Sequence, residues 1–291
     1  MFDQELWQRL GREFKNLVPL FRYLILQTET HAFCLALACA ALIGFYPACL
    51  VMLAVLKHIL RWNAAYEVFI DTLRLYYPTN QEFLIRNLEG NLPSRGVQLG
   101  SLVWILLAAT GIFVPLETGF NRLWQVREDR PYWLNQIVGF QLAVGCSLMA
   151  LVFVSISTGL QFIVDYFPTE ILRRTLDYVV IRAVTTCFLI ATICAFYKFL
   201  PNKKIKTRDV LPAAILAGIM AELVRMIYGL LVPLTNLSST QGPYVVSVTF
   251  VLLAYFETFV VLGGAFLASR TDRYPWMGFL RTKSSGTIDR S

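Results

Sequence analysis

From Tyr244 to Ser269 the chain runs 26 residues with a single charged side chain, Glu257. At 1.5 Å per residue, a helix of that length covers roughly 39 Å, more than the ~30 Å of hydrocarbon in a bilayer. Five more stretches are of the same kind, at 31–56, 97–118, 138–164, 178–200 and 209–232. The expected fold is therefore all-α, a polytopic membrane protein with six transmembrane helices between residues 31 and 269. Composition agrees: 56% of the 291 residues are hydrophobic and only 15% charged, against about 25% charged in soluble domains.

The segments outside the spans set the expected topology. Residues 1–30 carry Trp7, Leu10, Phe14, Leu17, Phe21 and Leu24 at helical spacing, with Arg9, Arg12, Lys15 and Arg22 between them. That pattern predicts a cytoplasmic amphipathic helix along the membrane surface. Its acidic residues and lack of a short apolar core do not read as a cleavable signal. The connection 57–96 predicts two extracytoplasmic helices: "AAYEVFIDTLRLYY", ended by Pro78, and "NQEFLIRNLEG". They are expected to cap the bundle, with a merely interfacial position as the alternative. Lys and Arg divide 17 to seven between the two sides. The richer side holds the N-terminal segment, the connections after the second and fourth spans, and the tail 270–291. The rule that cytoplasmic loops carry the excess then places both termini in the cytoplasm. No repeat relates the two halves, which weakens inverted-repeat transporter plans.

Ionisable residues within the spans are the candidates for function. A charge at mid-bilayer costs about 2.5–3.5 kcal/mol on insertion scales. Glu222 and Arg225 lie near the centre of the fifth span, three residues apart on one helical face. Glu257 is near the centre of the sixth, joined to the fifth by a short connection. These three are expected to share one polar spot. One arginine facing two glutamates is unbalanced, which calls for one carboxyl to be protonated. Glu117 and Arg182 lie nearer span ends, where side chains can snorkel. All five are candidates for a polar transport path. The plain alternative is a buried ion pair that fixes helix register.

Other features are mostly structural in expectation. Ala36, Ala40, Gly44 and Ala48 recur four apart in the first span, a stripe suited to close helix approach. Pro47 interrupts that helix's hydrogen bonding and is expected to kink it. The run "PNKKIKTRD" places Lys203, Lys204, Lys206 and Arg208 where anionic lipid headgroups could be met. A solvated positive loop is the plainer reading. All six cysteines fall inside apolar runs without a CxxC pair, so packing rather than metal or disulfide is expected. His31 and His58 flank the first span without a ligand neighbour, so no metal and no cofactor are expected. The chain contains no nucleophile motif, P-loop, dinucleotide fingerprint or HExxH, and no aromatic-interleaved basic groove. An enzyme and a nucleic-acid partner are therefore not expected.

Four stretches together resemble the YihY/BrkB family of bacterial membrane proteins. They are "AFCLALACAALIGFYPACLVMLAVL", with Pro47; "LETGFNRLWQVREDRPYW", with Asn121, Arg122 and Trp124; "YKFLPNKKIKTRDVLPAAILAGIMAEL", with Pro201 and Asn202; and "VVLGGAFLAS", with Gly264 and Ala265. The resemblance covers about residues 30–269. Two positions depart from it: Phe266 stands where the family often has an acid, and Gly242-Pro243-Tyr244 where it often has Tyr-Gly. The resemblance implies a six-helix bacterial inner-membrane protein. Members have carried a ribonuclease label, which the residues here do not support, and others are linked to serum resistance or export of lipopolysaccharide precursors.

Two functions follow as expectations. The first is a transporter or flippase of an amphipathic envelope lipid or glycolipid, with membrane lipids as partners. The alternative is a non-transporting membrane scaffold or envelope-assembly factor. Substrate, energy source and any homo-oligomer are left open by the sequence.

Overall fold

A computed structural model describes residues 18–76, 81–91, 100, 111–127, 130–164, 170–234 and 244–270. Those residues form helices and turns with no strand among them, as the apolar runs require. We number the helices α1 (18–26), α2 (Thr28–Ala54), α3 (Asn63–Tyr76), α4 (Gln81–Asn91), α5 (111–123), α6 (Tyr132–Val164), α7 (Glu170–Phe199), α8 (Thr207–Leu234) and α9 (Tyr244–Ala268). Five segments are long and apolar enough to cross a bilayer: Thr28–Ile59, Trp133–Leu160, Val179–Phe199, Thr207–Leu231 and Ser247–Ala268. They correspond to the first and the third to sixth expected spans. Most of the second, 97–118, lies outside the described residues, and α5 is its described end. The first 17 residues of the expected amphipathic helix and the tail from 271 also lie outside them.

The bundle is built around α8, which packs on α7 and α9, while α9 also packs along α2. Exposed apolar faces on α6 (Ile137, Phe140, Val144, Leu148) and α8 (Leu223, Met226, Ile227, Leu230) turn outward. In water such patches would be a liability; around a membrane bundle they are the lipid-facing surface.

Two apolar cores divide the molecule. One lies at the end that carries the 200–206 turn and joins Phe120, Trp124, Tyr197, Leu200, Ala217 and Leu262. The other lies at the opposite end. There Leu50, Leu53 and Leu56 of the first span meet Ala65, Ile70 and Leu73 of α3 and Ile85 and Leu88 of α4. The two helices of the 57–96 connection thus cap the bundle. Their burial follows from their pattern: Ala65, Val68, Ile70 and Leu73 are inside, while Glu67, Asp71 and Arg74 are exposed.

Side chains pin the cap. Tyr46 Oη donates to Asn87 O at 3.0 Å and Asn91 Nδ2 donates to Tyr46 Oη at 3.1 Å, tying α4 to α2. Tyr66 Oη donates to Glu89 Oε1 at 3.1 Å, tying α3 to α4. The first span reaches the cap through a π-helical turn, Val55–Ile59, and stops at Arg61, whose φ of 50° is the left-handed conformation that ends helices. Helix α2 runs continuously through Pro47.

Close approach is real but is not the stripe expected. Ala40 faces Gly111, where an added Cβ would lie 2.9 Å from the Ala40 Cβ. Ala36 and Ala48 are exposed. Residues four apart drift by roughly 40° per step around a helix, so four of them cannot all face one neighbour.

Candidate functional site

The charges inside the bundle form a ladder across three helices. Arg182 of α7 donates to Glu222 Oε1 of α8. Arg225, one turn along α8, lies 3.7 Å from Glu222 Oε2. Arg225 Nε donates in turn to Glu257 Oε1 of α9 at 2.5 Å. The expected trio of Glu222, Arg225 and Glu257 is therefore brought together. Arg182 is not a snorkelling end residue but its fourth member. Among the described residues the ladder therefore holds two arginines and two glutamates, where the sequence offered one against two.

The hairpin register explains the Arg182–Glu222 pair. Arg182 lies 17 residues before the end of α7 at Phe199, and Glu222 lies 15 after the start of α8 at Thr207. At 1.5 Å per residue these are depths of about 25 Å and about 22 Å from the shared turn. Two antiparallel helices joined at 200–206 therefore carry the two groups to similar heights.

The ladder borders a cavity of about 340 Å³. Its walls are mainly aromatic and aliphatic, with Phe69 and Leu73 from α3, Phe153 from α6, Phe188 from α7, and Phe250 and Leu253 from α9. Arg225 and Glu257 are the charged groups on its lining, and Thr72 and Thr185 add hydroxyls. The cavity is thus apolar over most of its lining, with one charged pair among its walls, and α3 of the cap contributes to it.

Glu117 belongs elsewhere. It is 2% exposed on α5, at the end with the 200–206 turn. Its partner is Arg130, 3.5 Å away, which the sequence offers only as a loop charge. Asn135, with its amide oriented to suit its neighbours, also donates to Glu117 Oε1 at 2.6 Å. Arg130 continues past Glu117 to the turn: it donates to Leu200 O at 3.2 Å, Pro201 O at 3.4 Å and Asn202 Oδ1 at 3.3 Å. Arg130 thus caps the end of α7 at Leu200 O and holds the turn that follows through Pro201 and Asn202. Asn202 N donates to Asn121 Oδ1 at 2.8 Å from the other side.

Most of the motif positions meet at that end. Trp124 and Phe120 pack edge to face at 5.7 Å, and Phe120 meets Tyr197 at 5.5 Å. Gln125, with φ of 53°, closes α5 in a Schellman turn, in which Val126 N donates to Asn121 O at 2.9 Å. Tyr197 Oη donates to Val261 O at 2.7 Å. A Cβ on Gly264 would lie 2.3 Å from that hydroxyl and 2.8 Å from the Ala217 Cβ, so the position admits only hydrogen. Ala265 is fully buried beside it. Arg122 instead turns outward to Glu29, and Pro47 lies mid-helix in α2. Phe266, the departure from the acid, stacks on Tyr23 at 4.9 Å and beneath Arg270 at 3.8 Å. Lys203, Lys204, Lys206 and Arg208 are exposed around the turn.

One polar contact was not foreseen at all. His31 Nε2 lies 3.1 Å from Ile25 O and Nδ1 lies 2.5 Å from Tyr255 Oη. A carbonyl can only accept, so Nε2 donates to Ile25 O, and in the neutral ring Nδ1 then accepts from Tyr255 Oη. This joins α1, α2 and α9. Among the described residues no three His, Cys, Asp or Glu side chains gather as a metal site.

Comparison with known proteins places this architecture. A UPF0761 membrane protein of Aliivibrio salmonicida is 24% identical over 265 residues, covering 83% of this chain and 78% of the relative. A UPF0761 membrane protein of Paraburkholderia xenovorans is 24% identical over 185 residues, 60% of this chain and 41% of the relative. One from Pseudomonas aeruginosa is 26% identical over 208 residues, 64% of this chain and 48% of its own length. The chain thus spans less than half of those last two relatives. No solved structure matches it. The family model described as Virulence factor BrkB matches residues 25–275, and the chain belongs to that family of membrane proteins.

Proposed function

We propose that this protein moves an amphipathic envelope lipid or glycolipid across or within the bacterial inner membrane, with both termini in the cytoplasm. One observation carries the reading: the cavity of about 340 Å³ has mainly apolar walls and is lined by the Arg225–Glu257 pair. Apolar walls with a few convergent polar groups are the usual form of a small-molecule site. A lipid has the matching division, a polar head and an apolar chain. Lys203, Lys204, Lys206 and Arg208 support the reading from the surface, since exposed cations attract anionic headgroups at about 1 kcal/mol each. No catalytic role and no nucleic-acid partner are part of the proposal.

The test is reconstitution in liposomes carrying headgroup-labelled lipids in both leaflets, with a membrane-impermeant quencher outside. Protein-dependent access of inner-leaflet label to the quencher is expected, and it should fall to background in Glu257→Gln. Folded protein that moves no envelope lipid sinks the reading.

A second reading, a non-transporting scaffold or assembly factor, draws on the charge balance of the ladder. Four charges that balance one another across α7, α8 and α9 suffice to fix helix register. On that reading, neutralising variants lose thermal stability and cellular function together. On the transport reading, Glu257→Gln loses function while still folded.

A further inference from the structure

The ladder ends inside the cavity, and that end presents both signs of charge. Arg225 and Glu257 line the same space and contact each other there. The Glu257 side chain is 27% exposed, against 14–20% for the other three, so the ladder is most accessible at this end. Its two arginines and two glutamates balance.

That balance restricts what can bind. A purely anionic group reaches Arg225 only by displacing Glu257, and the displaced carboxylate then sits in an apolar cavity without a cation. A purely cationic group meets the mirror problem at Arg225, which would have to share Glu222 with Arg182. An uncompensated charge in a low-dielectric site is the costliest outcome for such a network. A group with an anion and an ammonium a few bonds apart opens the Arg225–Glu257 pair and leaves every charge with a partner.

We propose that the cavity is a binding site for a zwitterionic amphiphile, with the anionic group on Arg225, the ammonium on Glu257 and an apolar chain along Phe153, Phe188 and Phe250. The inference rests on the transport reading of this cavity and narrows it to a headgroup class. At about 340 Å³ the cavity is at the small end for ligand sites, which run from about 300 to 1,000 Å³. It holds a headgroup and the adjoining part of one chain, not a whole two-chain lipid.

The experiment compares two lipids with identical chains on the purified full-length protein in a nonionic detergent. Dioctanoyl phosphatidylethanolamine and dioctanoyl phosphatidylglycerol are titrated, and binding is read by native mass spectrometry. The zwitterionic lipid is expected to bind about tenfold more tightly, the factor that corresponds to a tenfold step in the dissociation constant. In Glu257→Gln no carboxylate is left to strand, so the preference should reverse toward phosphatidylglycerol. Equal binding in the native chain, or an unchanged ratio in folded Glu257→Gln, overturns the proposal. Ala254→Leu tests the place independently of charge: it fills the lining and should weaken both lipids by the same factor. Unchanged binding in that variant overturns the assignment to this cavity. Preference without lipid movement in liposomes supports the site and sinks transport alone. Movement without preference sinks the headgroup assignment alone.

Discussion

Among the described residues two arginine–glutamate assemblies lie inside the bundle, and they differ in what surrounds them. At the 200–206 turn, Glu117 and Arg130 sit within the larger core, and Arg130 spends its remaining donors on the carbonyls that end α7. In the ladder, Arg182, Glu222, Arg225 and Glu257 sit beside an apolar void. The first assembly is closed by the backbone it fastens. The second has an end that another molecule can reach. The lesson is that a charge inside a membrane bundle is not by itself a sign of function; the neighbour that completes its coordination decides.

The largest expected effect tests that contrast directly. Arg130→Leu leaves Glu117 buried without its cation and should cost about 3–5 kcal/mol, seen as a collapse of folded yield on size exclusion in detergent. Glu257→Gln leaves Arg225 with a neutral acceptor and with Glu222 3.7 Å away, and should cost less, about 1–3 kcal/mol, while abolishing lipid movement. If both variants behave alike, the two assemblies do not differ in the way described.

Next in size is Gly264→Val, which drives side-chain atoms into Tyr197 Oη and Ala217. Overpacking of this kind costs about 1–3 kcal/mol and should lower the thermal midpoint without changing lipid preference. Within the ladder, Arg182→Met alone should cost about 2 kcal/mol, because Glu222 keeps only the longer contact to Arg225 at 3.7 Å. Adding Glu222→Gln should recover most of it, because replacing both partners of a buried pair is often neutral. Failure of the second change to rescue the first would mean that the two residues do not act as a pair.

The smallest effect concerns the cap. Tyr66→Phe removes the hydrogen bond to Glu89 and should cost about 1 kcal/mol. Burial, then the neighbouring Glu89 and Glu67, push the Tyr66 hydroxyl up from its usual value near 10 to about 12. A raised value in the fold favours the protonated form, so its stabilisation is complete below about pH 10 and is lost as pH rises through about 12. Thermal midpoints of the native chain should fall over that window more steeply than those of Tyr66→Phe.

Much of the bundle was legible because lipid allows so few solutions. Long apolar runs predict spanning helices, and alternating faces in 57–96 predict a cap. The trio Glu222, Arg225 and Glu257 was legible from depth and helical spacing alone. Arg182 was read as an end residue because its partner is set by the α7–α8 hairpin register, which needs both helix ends to be known. Arg130 carried no signal at all. Its acceptors at Leu200 and Pro201 are backbone carbonyls, which every residue has. The cavity was equally hidden, since a void is a property of how six helices fail to fill space. The small-residue stripe was over-read: a drift of about 40° per step puts its ends, Ala36 and Ala48, roughly 120° apart around the helix, and both are exposed.

The hydrogen at Gly264 has one more consequence. The Tyr197 hydroxyl rests where a side chain would be and reaches across to the backbone of α9, with Ala217 of α8 closing the same gap. Three helices are thereby locked against sliding at one level, near the 200–206 turn. The cavity is lined by other levels of the same helices, at Thr185, Arg225 and Glu257. A single missing methyl group thus sets how closely three helices meet at one end of the bundle, while the void lies elsewhere along them.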